Sequence, residues 1–431
     1  MSQLAILGGE PVRRDPFPAW PQYDRADIDR LAKQAESRHW GGYPYPTPLA
    51  TRVCEDFARM QGAKHALPVA NGTVAITIAL QALGIRYGDE VIVPAYTWDG
   101  TATAVLAMGG IPVFADVDSD TYCLDVESAR QAITARTKAV IPVHLAMRFA
   151  EMDSLLALAA EHKLAVIEDC AHSHGGAYRG RGAGSMGDVG CFSLQESKLV
   201  TSGEGGLITT NRLDCYEAIQ TLVNCGRASL TDQYGIKMIG LNYRMTDLQM
   251  ALLVGQLERL PALREKRTRH AALLSELLDG IPGVRPLPVQ NGITQGTFYT
   301  YVFQYHAAAP HRDLFVAALE KEGIPCDGRF YEAVYKSDLF YAAPENCPQL
   351  QGRMDYSKCH CPVSERAAYE ESVWLPQFLL LGEEEDVRDI ARAVGKIAEN
   401  LDRLAAADPA LAGVKAMGRA QRARVERQKN Y

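Results

Sequence analysis

Leu164-Ala165-Val166-Ile167-Glu168-Asp169 is a short apolar run that ends in two carboxylates. A strand that is apolar at nearly every step is covered on both faces, as in a parallel sheet flanked by helices. The same rhythm continues toward the N-terminus. The spacing predicts a helix over 73–83 closed by Gly84, a strand over 90–95, a helix over 101–108 and a strand over 111–117. A helix over 126–133, a strand over 138–143 and a helix over 152–162 complete that side. In the other direction, strands over 189–194 and 206–210 precede helices over 213–223 and 246–260. Short apolar strands alternating with helices argue for βαβ units and an α/β fold built on a mostly parallel sheet.

Pro261 is expected to end the last of these helices, because proline lacks the N–H that an interior position needs. A helix then resumes over 264–278, followed by a strand over 298–305 and helices over 312–321 and 386–404. These patterns divide the chain into a large domain at 51–261 and a smaller α+β C-terminal domain at 262–415. Residues 1–50, rich in Pro, Trp and Tyr at 16–20 and 43–46, read as an arm laid over a core. Residues 416–431 form a basic tail, with four arginines and one lysine in 419–429. A solvated tail is the simpler reading of it, and a phosphate-binding arm the alternative.

The 431 residues exceed the roughly 100–200 of a typical domain, in keeping with two. Apolar residues make up 47% and charged residues 23%, ordinary globular usage that excludes a disordered or collagen-like chain. The 52 acidic against 45 basic side chains give a formal charge of −7, which disfavours nucleic acid or an anionic membrane surface as partner. No stretch reaches the roughly 18 uninterrupted apolar residues of a membrane helix. Met1-Ser2-Gln3-Leu4-Ala5 lacks the basic and apolar regions of an export signal, and the ten cysteines are scattered. The expectation is a cytoplasmic protein with reduced thiols. Cys359-His360-Cys361 is the tightest cysteine group, but no second ligand pair follows it, so no metal is expected there.

Four features fall at or near the ends of predicted elements, where ligands bind in open α/β sheets. Asn71-Gly72-Thr73 opens the helix over 73–83. Free N–H groups and the helix dipole make such a start an anion site, although a plain N-cap explains the same residues. Asp169 ends its strand at the mouth of a buried sheet, where a carboxylate could hold a proton on a ring nitrogen or simply cap the next turn. His172 and His174 follow two residues apart; an orienting role ranks above metal binding, since no third ligand is evident. Lys198 follows the apolar run Cys191-Phe192-Ser193-Leu194 and precedes Gly203-Glu204-Gly205-Gly206. A lysine held near a buried site can lose its proton and form an imine with a carbonyl, whereas most lysines simply lie on the surface. Asn242-Tyr243-Arg244 marks a loop-to-helix boundary. Gly180-Arg181-Gly182-Ala183-Gly184 comes too late after its strand, and opens no apolar helix, for a dinucleotide fingerprint.

Taken together, these pieces resemble the DegT/DnrJ/StrS family of sugar aminotransferases, fold type I enzymes dependent on pyridoxal 5'-phosphate. The matching segments are Asn71-Gly72-Thr73, Pro94-Ala95-Tyr96-Thr97-Trp98, Glu168-Asp169-Cys170-Ala171-His172, Phe192-Ser193 with Lys198, Gly203-Glu204-Gly205-Gly206 and Asn242-Tyr243-Arg244-Met245. Asp327-Gly328-Arg329-Phe330-Tyr331 and Glu371-Ser372-Val373-Trp374-Leu375-Pro376 resemble the subgroup that aminates ketocyclitols in aminoglycoside antibiotic pathways. The resemblance implies that Lys198 forms the imine with the cofactor and then acts as its acid and base. It implies that Asp169 pairs with the pyridinium nitrogen, that Trp98 stacks on the ring and that His172 lies beside the phenolic oxygen. Gly72, Thr73 and Ser193 would hold the phosphate. Asn242 would reach it from a neighbouring subunit, so a homodimer with shared sites is implied. The substrates implied are small molecules: L-glutamine as amino donor, and a cyclic ketone of the 2-deoxy-scyllo-inosose or scyllo-inosose type. A nucleotide-linked ketosugar, or a reaction like that of 3-amino-5-hydroxybenzoate synthase, is the alternative.

One segment departs from the family pattern. Where members often carry Val-His-Leu-Tyr-Gly, this chain has Val143-His144-Leu145-Ala146-Met147-Arg148-Phe149. The loop is expected to border the substrate. Arg148 is expected either to lie solvated or to recognise a carboxylate or phosphate.

Overall fold

The computed structural model describes residues 3–42, 45–227, 238–340 and 346–411. The basic tail lies outside the described residues, as do Tyr43 and Pro44 of the aromatic arm. Two helices come first, α1 (Arg25–Glu36) and α2 (Pro48–Gln61). Strand β1 (His65–Val69) leads to α3 (Gly72–Ala82), β2 (Glu90–Pro94), α4 (Gly100–Ala107) and β3 (Ile111–Ala115). Then follow α5 (Val126–Gln131), β4 (Thr137–Val140), α6 (Met152–His162) and β5 (Ala165–Asp169). A small hairpin, β6 (Ala177–Tyr178) and β7 (Arg181–Gly182), precedes β8 (Val189–Ser193), β9 (Gly206–Thr210), α7 (Leu213–Val223) and α8 (Asp247–Leu278).

The central sheet has seven strands in the order β1-β9-β8-β5-β4-β2-β3. Neighbours from β8 to β3 pair in parallel, and β9 runs against both β8 and β1. The C-terminal ends of β1, β2, β4, β5 and β8 therefore share one edge. Val93, Ile167 and Val189 are fully buried, as expected for strands covered on both faces. The apolar runs thus fix both the sheet and the edge on which loops collect.

Two features of the N-terminal region lack a clear periodic signal. Helix α1 is held by a capping box between Asp24 and Asp27, and α2 by the Thr47 hydroxyl with Pro48 in its first turn. The arm before them is anchored on the C-terminal unit: Ala5 and Val12 donate backbone N–H groups to the Glu322 carboxylate.

The expected break at Pro261 does not occur. Helix α8 runs through it for 32 residues, from a capping box at Thr246 and Gln249. An interior proline costs about 3 kcal/mol of helix propensity. Leu253 and Leu260 on one side, and Leu274 and Leu278 on the other, are buried, and their burial outweighs that cost. The boundary expected at 261/262 falls within an unbroken helix.

The C-terminal unit contributes β10 (Val284–Pro286), β11 (Ile293–Gln295), β12 (Thr300–Tyr305), α9 (Arg312–Lys321) and β13 (Ser372–Pro376). β10, β12 and β13 make an antiparallel sheet, while β11 pairs with β6 of the large unit. Residues 327–336 return to the large sheet, where the Val334 N–H donates to the Ala95 carbonyl just after β2.

Candidate active site

The sheet edge brings most of the expected residues together. Asn71 caps α3, its side chain accepting from the Val74 N–H at 2.9 Å. A Cβ on Gly72 would lie 2.8 Å from the Ser193 Cβ, so only glycine lets the start of α3 meet the end of β8. Thr73 is exposed at that start, where the first helical N–H groups have no intrahelical acceptor. A Cβ on Gly100 would lie 2.6 Å from Trp98 Cδ1 and 3.0 Å from Thr73 Oγ1, placing the indole beside the same helix start. Trp98 is 60% exposed, a large apolar face left open on the edge.

Asp169 ends β5 and is buried. Its carboxylate accepts from the Thr101 hydroxyl at 2.8 Å and from the Ala171 N–H at 3.1 Å. A carboxylate offers about four lone-pair positions, so capacity for about two further donors remains. Thr101 escaped sequence reading because nothing in a helix-opening threonine signals a partner 68 residues away.

His172 is oriented from both nitrogens. The Ala146 N–H donates to Nδ1 at 3.1 Å, so the ring proton sits on Nε2 and is shared with the Tyr331 hydroxyl at 3.1 Å. The Tyr299 ring stacks on the imidazole with centroids 4.0 Å apart. Lys198 Nζ stands 4.5 Å from the centre of that same Tyr299 ring. Tyr299 and Tyr331 come from the C-terminal unit, and no local pattern links them to a histidine on another sheet.

His174, by contrast, faces inward. It is fully buried between Phe57 and Phe192, and neither ring nitrogen has a hydrogen-bond partner among the described residues. Burial, reinforced by the charge of Lys198, lowers its pKa to about 3. It is a neutral core histidine.

Among the described residues, His144, Glu168 and Cys170 are the group whose ligand atoms lie close enough to hold a metal. Their donors are already committed. Glu168 accepts from His144 Nε2 at 2.9 Å, from the Gly184 N–H at 2.9 Å, and from the Met186 and Gly187 N–H groups at 2.7 Å each. His144 Nδ1 accepts from the Ala150 N–H at 3.3 Å. Burial pushes the Cys170 thiol up, away from the thiolate a metal needs. Glu168 is a clamp for the 184–187 turn, a role hidden in the sequence beside Asp169.

Arg148 is neither solvated nor open to a ligand. It is buried and donates to the carbonyls of Leu287 at 2.9 Å and Pro288 at 2.7 Å. The loop expected to border the substrate is thereby tied to the segment after β10. Ala146 takes a positive φ of 56° within it, and its carbonyl accepts from the Tyr299 N–H. Asn242 lies exposed on the link before α8, where its contacts include a backbone bridge to Asn224.

Residues 22–395 match the DegT/DnrJ/EryC1/StrS aminotransferase family. A Streptoalloteichus tenebrarius protein provisionally named L-glutamine:3-amino-2,3-dideoxy-scyllo-inosose aminotransferase is 40% identical over 413 residues, covering 94% of this chain and 99% of its own. The L-glutamine:2-deoxy-scyllo-inosose aminotransferase of Streptomyces paromomycinus is 36% identical, covering 91% of this chain and 97% of its own. Among solved structures, 3-amino-5-hydroxybenzoic acid synthase superposes with a TM-score of 0.81 at 31% identity, over 91% of this chain and 100% of that one. The chain belongs to the DegT/DnrJ/EryC1/StrS aminotransferase family, with the fold type I architecture, and is an aminotransferase.

Proposed function

From that membership we propose that the chain is a pyridoxal 5'-phosphate-dependent aminotransferase that moves nitrogen from L-glutamine to a ketocyclitol of the 2-deoxy-scyllo-inosose or scyllo-inosose type, in aminoglycoside biosynthesis. The observation that carries the reading is the end-to-end likeness to proteins named for such reactions, at 36–40% identity over 91–94% of this chain.

The residues fit the cofactor. The gap left by Gly72 against Ser193, at the open start of an 11-residue helix, suits a phosphate. Asp169 has acceptor capacity left after Thr101 and Ala171, and the open Trp98 indole offers a stacking face. When bound, pyridoxal phosphate supplies an aldehyde carbon that carries nitrogen between the two substrates and a ring that withdraws electrons.

The chain's own groups do the rest. The N–H groups of Gly72 and Thr73 and the Ser193 hydroxyl hold the phosphate. Asp169 keeps the proton on the ring nitrogen, itself oriented by Thr101. Trp98 covers one ring face. His172, fixed as its Nε2–H tautomer, orients at the phenolic oxygen. Lys198 Nζ would hold the cofactor at its aldehyde carbon until the donor's amine takes its place, and once free would carry a proton from the donor's Cα to that aldehyde carbon. Asn242 contributes to the phosphate site of a neighbouring copy, so the working unit is a homodimer.

A single assay tests the substrate. L-glutamine is offered with scyllo-inosose, with 2-deoxy-scyllo-inosose, and with a nucleotide-linked 4-ketosugar. Amine is expected from a cyclitol; amine from the nucleotide sugar alone overturns the cyclitol assignment.

A further inference from the structure

Lys198 sits on a tight turn in which its own N–H donates to the Gln195 carbonyl at 2.8 Å. The turn is tied internally, since the Ser197 N–H and hydroxyl both donate to Gln195 Oε1, at 3.0 and 2.7 Å. It is also held from outside at three successive carbonyls. Trp20 of the N-terminal arm donates its indole N–H to the Glu196 carbonyl at 2.9 Å. Gln377, just beyond β13, points its amide nitrogen at the carbonyls of Ser197 and Lys198, at 3.2 and 3.5 Å.

The place of Trp20 is set by a second contact. The Arg267 guanidinium lies 5.3 Å from the centre of its ring. Arg267 is fully buried, and its three side-chain nitrogens have no hydrogen-bond partner among the described residues. Burial lowers its pKa to about 9. The indole face is thus a stabilising neighbour for that charge, and a desolvated cation over an aromatic ring is a strong anchor. The indole N–H remains available for the lysine turn.

We infer that Trp20 and Gln377 are positioning residues for Lys198: the N-terminal arm and the C-terminal unit grip the backbone of its turn from two sides. The inference rests on the aminotransferase reading above. Lys198 Nζ must serve two carbons in succession, and a displacement of about 1 Å can cost about a hundredfold in rate. Its reach is set by where its own backbone is held.

The test uses the full chain with Trp20→Phe, which keeps a ring over Arg267 and removes the N–H, and separately with Gln377→Met. In protein loaded with pyridoxal phosphate, each variant is expected to lower kcat about fivefold to tenfold, the scale of one hydrogen bond, with KM for L-glutamine unchanged. In protein without added cofactor, amide exchange at residues 196–199 is expected to quicken by a similar factor, with β5 and β8 unchanged. Wild-type exchange in both variants overturns the inference. So does faster exchange with an unaltered kcat, which reduces both residues to structural contacts. If wild-type protein takes up no pyridoxal phosphate, the aminotransferase reading falls, while the exchange comparison still decides whether the turn is braced.

Discussion

Lys198 Nζ and the ring of Tyr299 lie 4.5 Å apart, and the same ring stacks on His172 at 4.0 Å. One residue of the C-terminal unit therefore sits against two functional groups of the large sheet. It links the position of the amine proposed as nucleophile to the orientation of the imidazole.

Lys198→Ala is expected to abolish turnover, by about ten-thousandfold or more, without unfolding the chain. Amine formation from L-glutamine and a ketocyclitol, read beside a far-ultraviolet spectrum, checks this. Turnover near wild type would refute the role.

Asp169→Ala is expected to cost roughly a hundredfold to a thousandfold in kcat and to weaken retention of pyridoxal phosphate. The variant also removes the carboxylate that accepts from the Thr101 hydroxyl and the Ala171 N–H. Cofactor remaining after dialysis, together with turnover, measures both effects. Wild-type values would count against a proton-holding carboxylate.

Much of this pair was legible. A buried strand ending in Asp169 and an apolar run delivering Lys198 are local patterns, and their period gives both the sheet and its working edge. The groups that orient them and His172 were not legible. Thr101, Tyr299, Tyr331 and Gln377 act across long sequence separations, and residue type does not specify such contacts. Arg148 looked like a loop arginine because its acceptors, the Leu287 and Pro288 carbonyls, lie some 140 residues on. Pro261 misled because local propensity was overridden by apolar packing on both sides.

Gly72→Ala places a Cβ 2.8 Å from the Ser193 Cβ. The helix start must shift away from β8, at about 1–3 kcal/mol, with a loss of affinity for the phosphate-bearing cofactor. Titration of cofactor-free protein with pyridoxal phosphate and with unphosphorylated pyridoxal separates the two: only the phosphate ester should weaken.

His174 gives a pH dependence of stability. Its pKa in the folded chain is about 3 against an ordinary 6.5, so the unfolded chain binds more protons between those values. The contribution is fully present above pH 6.5 and is lost as pH falls toward 3, at up to about 1.4 kcal/mol per pH unit. His174→Gln should flatten this acid-side slope in urea titrations at pH 7, 6 and 5. An unchanged slope would show that another group sets it.

Arg148→Met removes the donors to Leu287 and Pro288, and should lower stability by about 1–3 kcal/mol. The denaturant midpoint reads this directly. A midpoint equal to wild type would mean that the tie between the loop and the C-terminal unit carries no net energy.

At 32 residues, α8 is a rod about 48 Å long that both halves of the molecule grip. Because α8 stays unbroken past residue 261, a bend there would work against the burial of Leu253, Leu260, Leu274 and Leu278.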